Sequence, residues 1–415
     1  MTSSNVRIGQ EGGARTGHQP AGGQALFVSV LALLLATGWV ANHFVGLMPV
    51  ISDGEHLTTA TLDGIFGIYA VGLLPGLLIG GRTSDALGRR SVALAGSAAA
   101  LAGTTVMLLS QHTEALLLGR LIVGVGVGLA ISSCTAWASD LRGPAGAAAA
   151  GAVLTAGFAL GPFAGGFIVS AGPSGIRVSF GVAAAIVVLA TVAVVGAARR
   201  IEVTRPAKDY DSGRAAPTAP AAQGLSRALS WAMPLAPWVY ASATLGFVTI
   251  PTRLHTALAA PMAAGMATLV VNGVSGVVQV LARALRWGPQ AGTAGAMLAA
   301  LGYAMAALAP PAVTPALGLP LLLVLGCASG LCLREGLIDL EAAAPPHLRG
   351  ALTGVFYVVT YVGFALPLIL ATVGSAASLV ILSVMAVLAL AAAVARAVRL
   401  RRDSHRQDGA GPARG

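Results

Sequence analysis

What most restricts this chain is the spacing of its charges. Only 10% of its 415 residues are Asp, Glu, Lys or Arg, and they gather in short polar gaps between apolar runs of about 20 residues, the length an α-helix needs to cross a hydrocarbon core. Twelve such runs can be traced, at 25–48, 59–80, 91–110, 115–138, 145–170, 178–198, 231–250, 262–282, 291–309, 317–338, 351–371 and 375–395. With 56% hydrophobic residues and a mean hydropathy of +0.81, the chain cannot close as a soluble globule. The expected fold is an all-α membrane protein of twelve transmembrane helices in two pseudo-symmetric six-helix bundles.

Basic residues are retained on the cytoplasmic side of short loops, so their distribution orients the chain. With the N-terminus inside, all but Arg177, Arg253 and Arg120 of the 25 Lys and Arg residues fall on that side or at helix ends facing it. The net charge of +10 is thereby accounted for by inner-leaflet anchoring, with no nucleic-acid partner. The expected location is the plasma (inner) membrane, multi-pass, with both termini cytoplasmic. Residues 1–24 read as a polar tail, and the run after them is too long for the apolar region of a signal peptide. Residues 25–198 form the first six-helix bundle, and 199–230, which carries Pro206, Pro217 and Pro220 amid mixed charge, forms a cytoplasmic linker. A second bundle at 231–396 and a basic tail at 397–415 complete the order. Cys134, Cys327 and Cys332 lie within apolar runs without Cys-x-x-Cys spacing, so they read as packing residues, and no metal site is expected.

The halves echo each other, as in transporters built from repeated bundles. Gly124-x-Gly-x-Gly128-Leu129 has a counterpart in Gly326-x-x-x-Gly330-Leu331, 202 positions on. Arg142-Gly143 followed by Gly157-Phe-Ala-Leu-Gly-Pro162 is matched by Arg349-Gly350 followed by Gly363-Phe-Ala-Leu-Pro367, with the Arg residues 207 positions apart.

Three segments carry chemistry. The gap between the second and third runs reads Gly81-Arg82-Thr83-Ser84-Asp85-Ala86-Leu87-Gly88-Arg89-Arg90; Gly88 permits a tight turn, and Asp85 can pair with cations across it. Asp140 fits as a further partner of this cluster. The second half keeps Gly288 in the corresponding loop but has Leu285 where the Asp would stand. In the fourth run, Arg120-x-x-x-Gly124 places an Arg well inside the bilayer, at a cost of roughly 2.5 to 3.5 kcal/mol unless it faces a cavity or a partner. The Gly-x-Gly-x-Gly run after it lies within a helix and has no preceding strand, so it serves packing rather than dinucleotide binding. In the fifth run, Gly157, Gly161, Pro162, Gly165 and Gly166 make a face that a neighbour can approach closely, and Pro162 leaves a carbonyl unpaired where the helix can bend.

These segments resemble those of the major facilitator superfamily, and the fifth-run pattern is similar to that of its twelve-helix drug:proton antiporters. The resemblance covers nearly the whole chain except the tails and linker. It implies that the Gly81–Arg90 loop latches the two halves in one end-state of an alternating cycle. Ala86 departs from the pattern, which commonly has a basic residue after the Asp.

A proton-coupled transporter needs a buried group that changes charge. His43, beside Asn42 in the first run, is a candidate carrier, and a cavity shared with Arg120 is geometrically open to it. Asp63 reads as a helix-start or mouth residue. Glu335 and Asp339 share a helix face beside Arg334 and can hold a proton between them or sit as surface charges. Asn272 and Gln279 line the cavity or bond a neighbouring helix. Aromatic residues make up 5% of the chain, which argues against a cavity lined with many stacking rings.

The expected function is proton-coupled efflux of a small organic compound by alternating access, with nutrient uptake by symport or facilitated diffusion as the alternative. No convergent catalytic cluster supports an enzyme. The expected partners are a small-molecule substrate, protons and the bilayer. The proton gradient is the energy source, no cofactor is required, and the chain acts as a monomer.

Overall fold

The computed structural model describes residues 21–204, 221–344 and 349–409. Within a bilayer every backbone N–H and C=O needs an internal partner, which favours long helices. Among the described residues twelve helices are long and apolar enough to span: α1 (Gly23–Glu55), α2 (Thr59–Leu87), α3 (Arg89–Leu109), α4 (Thr113–Gly143), α5 (Ala145–Ser170), α6 (Gly175–Arg200), α7 (Ser226–Arg253), α8 (Ala260–Ala284), α9 (Gln290–Leu308), α10 (Pro315–Ala343), α11 (Leu352–Thr372) and α12 (Ser375–Asp403). Among the described residues there is no strand, only an isolated bridge between Leu254 and Val313. The helix holding α12 runs to Gly409, so residues 397–409, expected in the basic tail, continue this helix. The expected linker is helical at its flanks, to Thr204 and from Ala221, and its middle lies outside the described residues.

The span ends are set by local chemistry. Thr58 caps α2, its hydroxyl accepting from Thr61 N. Between α2 and α3 the chain reverses at Gly88, whose φ of 88° suits only glycine. Between α4 and α5 the helical path breaks at Arg142 and Gly143, the latter at φ 59°. Inside α7 and α11 the helix changes pitch, through a π turn at Leu245–Thr249 and a 3-10 turn at Val362–Ala365.

Two bundles follow the same plan. In the first, α1 packs on α5, and α2 and α3 pack on α4; in the second, α10 packs on α8 and α9, and α9 on α12. Glycines let these helices approach. A methyl group on Gly128 would lie 2.5 Å from the Leu73 carbonyl oxygen of α2, and one on Gly126 would lie 2.6 Å from the Gly96 oxygen of α3. The alternating glycines of α4 therefore face two neighbours in turn. In the other half Gly326 and Gly330 of α10 approach Val271 and Ser275 of α8 in the manner of Gly124 and Gly128 against α2. Between the halves, α5 meets α8 and α2 meets α11.

Candidate functional site

Pro162 has no N–H, so the carbonyl of Phe158, one turn earlier, loses its helical donor. Two side-chain amides take its place. Asn42 of α1 donates to the Phe158 oxygen at 3.0 Å and Asn272 of α8 at 3.2 Å. One acceptor thus joins α1, α5 and α8, the last from the opposite half. Pro367 strips the Gly363 carbonyl in the same way, and there Thr244 of α7 donates its hydroxyl at 3.0 Å. Thr244 stands 202 positions after Asn42, the same offset that relates Gly124 to Gly326. Each half therefore supplies its proline-freed carbonyl with a donor from its own first helix.

The glycines of α5 surround this junction. Gly157 abuts Gly38, and a methyl group on Gly161 would lie 2.8 Å from the Trp39 carbonyl oxygen of α1. On Gly165 it would meet the Leu47 side chain at 2.9 Å. Gly166 meets the Pro261 backbone across the seam between halves, and a methyl on Gly265 of α8 would lie 2.6 Å from the Pro162 oxygen. Along α5 and α8 the halves are closed tightly at the end that carries the α1–α2 and α7–α8 connections.

At the other end lies the Gly81–Arg90 loop. Arg89 pairs with Asp85 at 2.5 Å and with Asp140 at 2.9 Å, and also donates to Ser84 Oγ at 2.6 Å. Asp85 makes no polar contact with the other half among the described residues. Arg90 begins α3 half-buried, and a side chain on Gly81 would meet open space. Arg142 turns away from this cluster and lies on the Phe27 ring, bonded to Gln24.

Arg120 is fully buried. It donates to the Ala41 oxygen at 2.8 Å and to the Phe66 oxygen at 3.3 Å, and its guanidinium lies over the rings of Phe44, Phe66 and Tyr69. Carbonyls and ring faces serve as the partners that an intramembrane cation needs. Among the described residues Arg120 makes no hydrogen bond with His43, the neighbour expected to share a cavity with it. His43 is also fully buried, its Nδ1 bonded to the Val40 oxygen and its ring edge-on to Phe180 of α6.

Each carboxylate of the α10 pair has its own cation. Glu335, buried, pairs with Arg334, while Asp339 pairs with Arg396 of α12 at 2.6 Å. Arg396, expected as a surface anchor, is itself buried, lies over Trp231 and donates to the Trp231 and Pro289 oxygens. No charge-spacing rule reveals this, because the partner comes from a span far away in sequence. Gln279 bonds Ser275 within its own helix.

A run of buried rings joins the two halves. Phe66 of α2 stacks on Phe364 of α11 with centroids 5.2 Å apart, and Tyr240, Tyr361 and Tyr357 continue the chain of rings into the second half. A low aromatic percentage does not limit local density when the few rings converge on one interface.

The comparisons with known proteins agree with this architecture. Residues 26–367 match the Major Facilitator Superfamily. The chain is 28% identical over 173 residues to "Multidrug resistance protein 2" of Bacillus subtilis (strain 168), covering 40% of this chain and 42% of that one. It is 26% identical over 117 residues to "Probable polyol transporter 4" of Arabidopsis thaliana, covering 28% and 22%. These alignments span less than half the length of each curated relative. A crystal structure of a mutant of the peptide transporter POT in complex with alafosfalin superposes with a TM-score of 0.71 at 16% identity, over 92% of this chain and 95% of that one. The POT family transporter PepTSo gives 0.70 at 13%, over 91% and 98%. At such identities the likeness concerns the fold. From the matched family and the twelve spans, the chain belongs to the Major Facilitator Superfamily and is a membrane transporter, not an enzyme.

Proposed function

We propose that this transporter is a proton-coupled exporter of small organic compounds, oriented with the Gly81–Arg90 loop and both termini in the cytoplasm. The observation that carries this reading is the seam built on Gly157, Gly161, Pro162, Gly165 and Gly166, where α5 meets α1 and, through Gly166 and Gly265, the opposite half. In this orientation the seam closes the outer face. A closure made of backbone against backbone is rigid, and the freed Phe158 carbonyl gives it a polar register. When the halves rock, the Asn272 bond and the Gly166–Pro261 contact part, and the Arg89 cluster becomes free to engage the opposite half at the inner face. Glu335, buried beside Arg334 on α10, is the carboxylate that exchanges the coupling proton. His43, packed against Phe180, contributes to packing instead.

Everted membrane vesicles containing the protein, loaded with a luminal pH-sensitive dye, test the coupling. Adding a transported compound outside should release protons from the lumen, and the response should vanish in Glu335→Gln. Compound movement without proton release removes the antiport mechanism.

Similarity to polyol transporters favours a second reading, uptake of a polar nutrient on the same scaffold. Intact cells accumulating a labelled polyol along the proton gradient would establish it and displace export.

A further inference from the structure

At the end of the bundle opposite the Gly81–Arg90 loop lies a cavity of about 490 Å³ whose walls come from both halves. Thr59 and Asp63 of α2 form one side; Thr249 and Arg253 of α7 and Ser378 and Leu382 of α12 belong to the other. Asp63 is 5% exposed and accepts no hydrogen bond or ion pair among the described residues, yet it lines this space. A desolvated carboxylate without a partner is costly, and such groups in spans are retained for a ligand or for a charge they balance.

The surroundings indicate which ligand. Asp63 stands one turn into α2, whose N-terminal end favours a negative charge. Arg253, the other charged residue of the lining, turns its Nη2 to the carbonyls of Ala309 and Pro310, at 2.9 Å each, and makes no ion pair with Asp63. Hydroxyls at Thr59 and Ser378 and apolar surface at Leu370, Leu379 and Leu382 complete the walls. The volume exceeds what a proton or a single water needs and falls within the range of small-molecule sites.

We propose that this cavity binds a small organic ammonium ion, with Asp63 as its counter-charge and the apolar wall of α11 and α12 receiving the rest of the molecule. The inference is independent of transport direction and of proton coupling. Because α2 and the second half share the site, an occupant favours the arrangement in which this end is closed.

The test is equilibrium binding of benzylamine, benzyl alcohol and benzoate to the purified full-length protein in nanodiscs, without any gradient. Benzylamine should bind the wild type, with benzyl alcohol and benzoate each weaker by roughly tenfold or more, and Asp63→Asn should weaken benzylamine to a similar degree. Leu382→Trp, which enlarges a side chain of the opposite wall, should likewise weaken benzylamine by roughly tenfold or more. No benzylamine binding by the wild type, equal affinity for benzyl alcohol, or undiminished binding by Asp63→Asn overturns the proposal. The first two comparisons use the wild type alone and so do not depend on a variant folding. Transport in vesicles can fail while this binding stands, and the reverse also holds.

Discussion

Asn42 and Asn272, from opposite halves of the molecule, donate to one acceptor, the Phe158 oxygen that Pro162 deprives of its helical N–H. The arrangement is asymmetric: the equivalent Gly363 oxygen is held by Thr244 from within its own half. Removing Asn272 therefore breaks a bond that exists only while the seam is closed, and leaves the carbonyl satisfied by Asn42. Asn272→Ala should shift the balance away from this state by about 1 kcal/mol, roughly fivefold, with little change in protein level. Alkylation of a cysteine introduced at Ala263, buried on α8 next to the Gly166–Pro261 contact, reports the shift as an increase in labelling. The double variant with Asn42→Ala leaves a polar group unpaired and should cost about 1–3 kcal/mol of stability as well.

Gly265→Ala should prevent closure. Its methyl group would lie 2.6 Å from the Pro162 oxygen and 2.9 Å from Phe163 Cα, both backbone atoms of the other half. Transport should fall by roughly tenfold or more, since overpacking costs about 1–3 kcal/mol where neighbours cannot yield. Gly273→Ala, where an added methyl meets nothing within 4 Å, is the control and should transport normally. Equal transport by both variants would show that the seam does not close during turnover.

Asp85→Asn should abolish transport while membrane levels stay near those of the wild type. The Asp85 and Asp140 side chains are 67% and 55% exposed, and ion pairs at such exposure contribute only about 0–1 kcal/mol to stability. A loss of function beyond that scale means that Asp85 acts in the cycle rather than in folding. Quantitative immunoblotting beside a transport assay separates the two.

Arg396→Ala should be destabilising by about 3–5 kcal/mol, because it strands the Asp339 carboxylate in a largely dry site. The Trp231 and Pro289 carbonyls lose their donor as well. Thermal denaturation in detergent should show a large fall in Tm. Replacing Arg396 by Met together with Asp339→Leu should recover much of it, since two well-packed apolar groups can substitute for a buried pair.

Much of this fold is legible in the order of residues. A lipid-facing backbone must satisfy itself within each segment, so twelve apolar stretches dictate twelve helices, and their polar gaps mark the turns. Gly88 at its turn, the glycines between α4 and its neighbours and the carbonyl freed by Pro162 all follow from local rules, because a missing Cβ or N–H acts on its nearest neighbours whatever the partner. Pairing between distant spans obeys no such rule. That Asn272 rather than Gln279 reaches Phe158, that Arg396 is buried on Asp339, that Arg120 is held by carbonyls and rings and not by His43, and that scattered aromatics meet at Phe66 and Phe364 depend on how each helix is rotated about its axis. That rotation is set by the packing of all neighbours together, so it emerges only when the bundle is assembled.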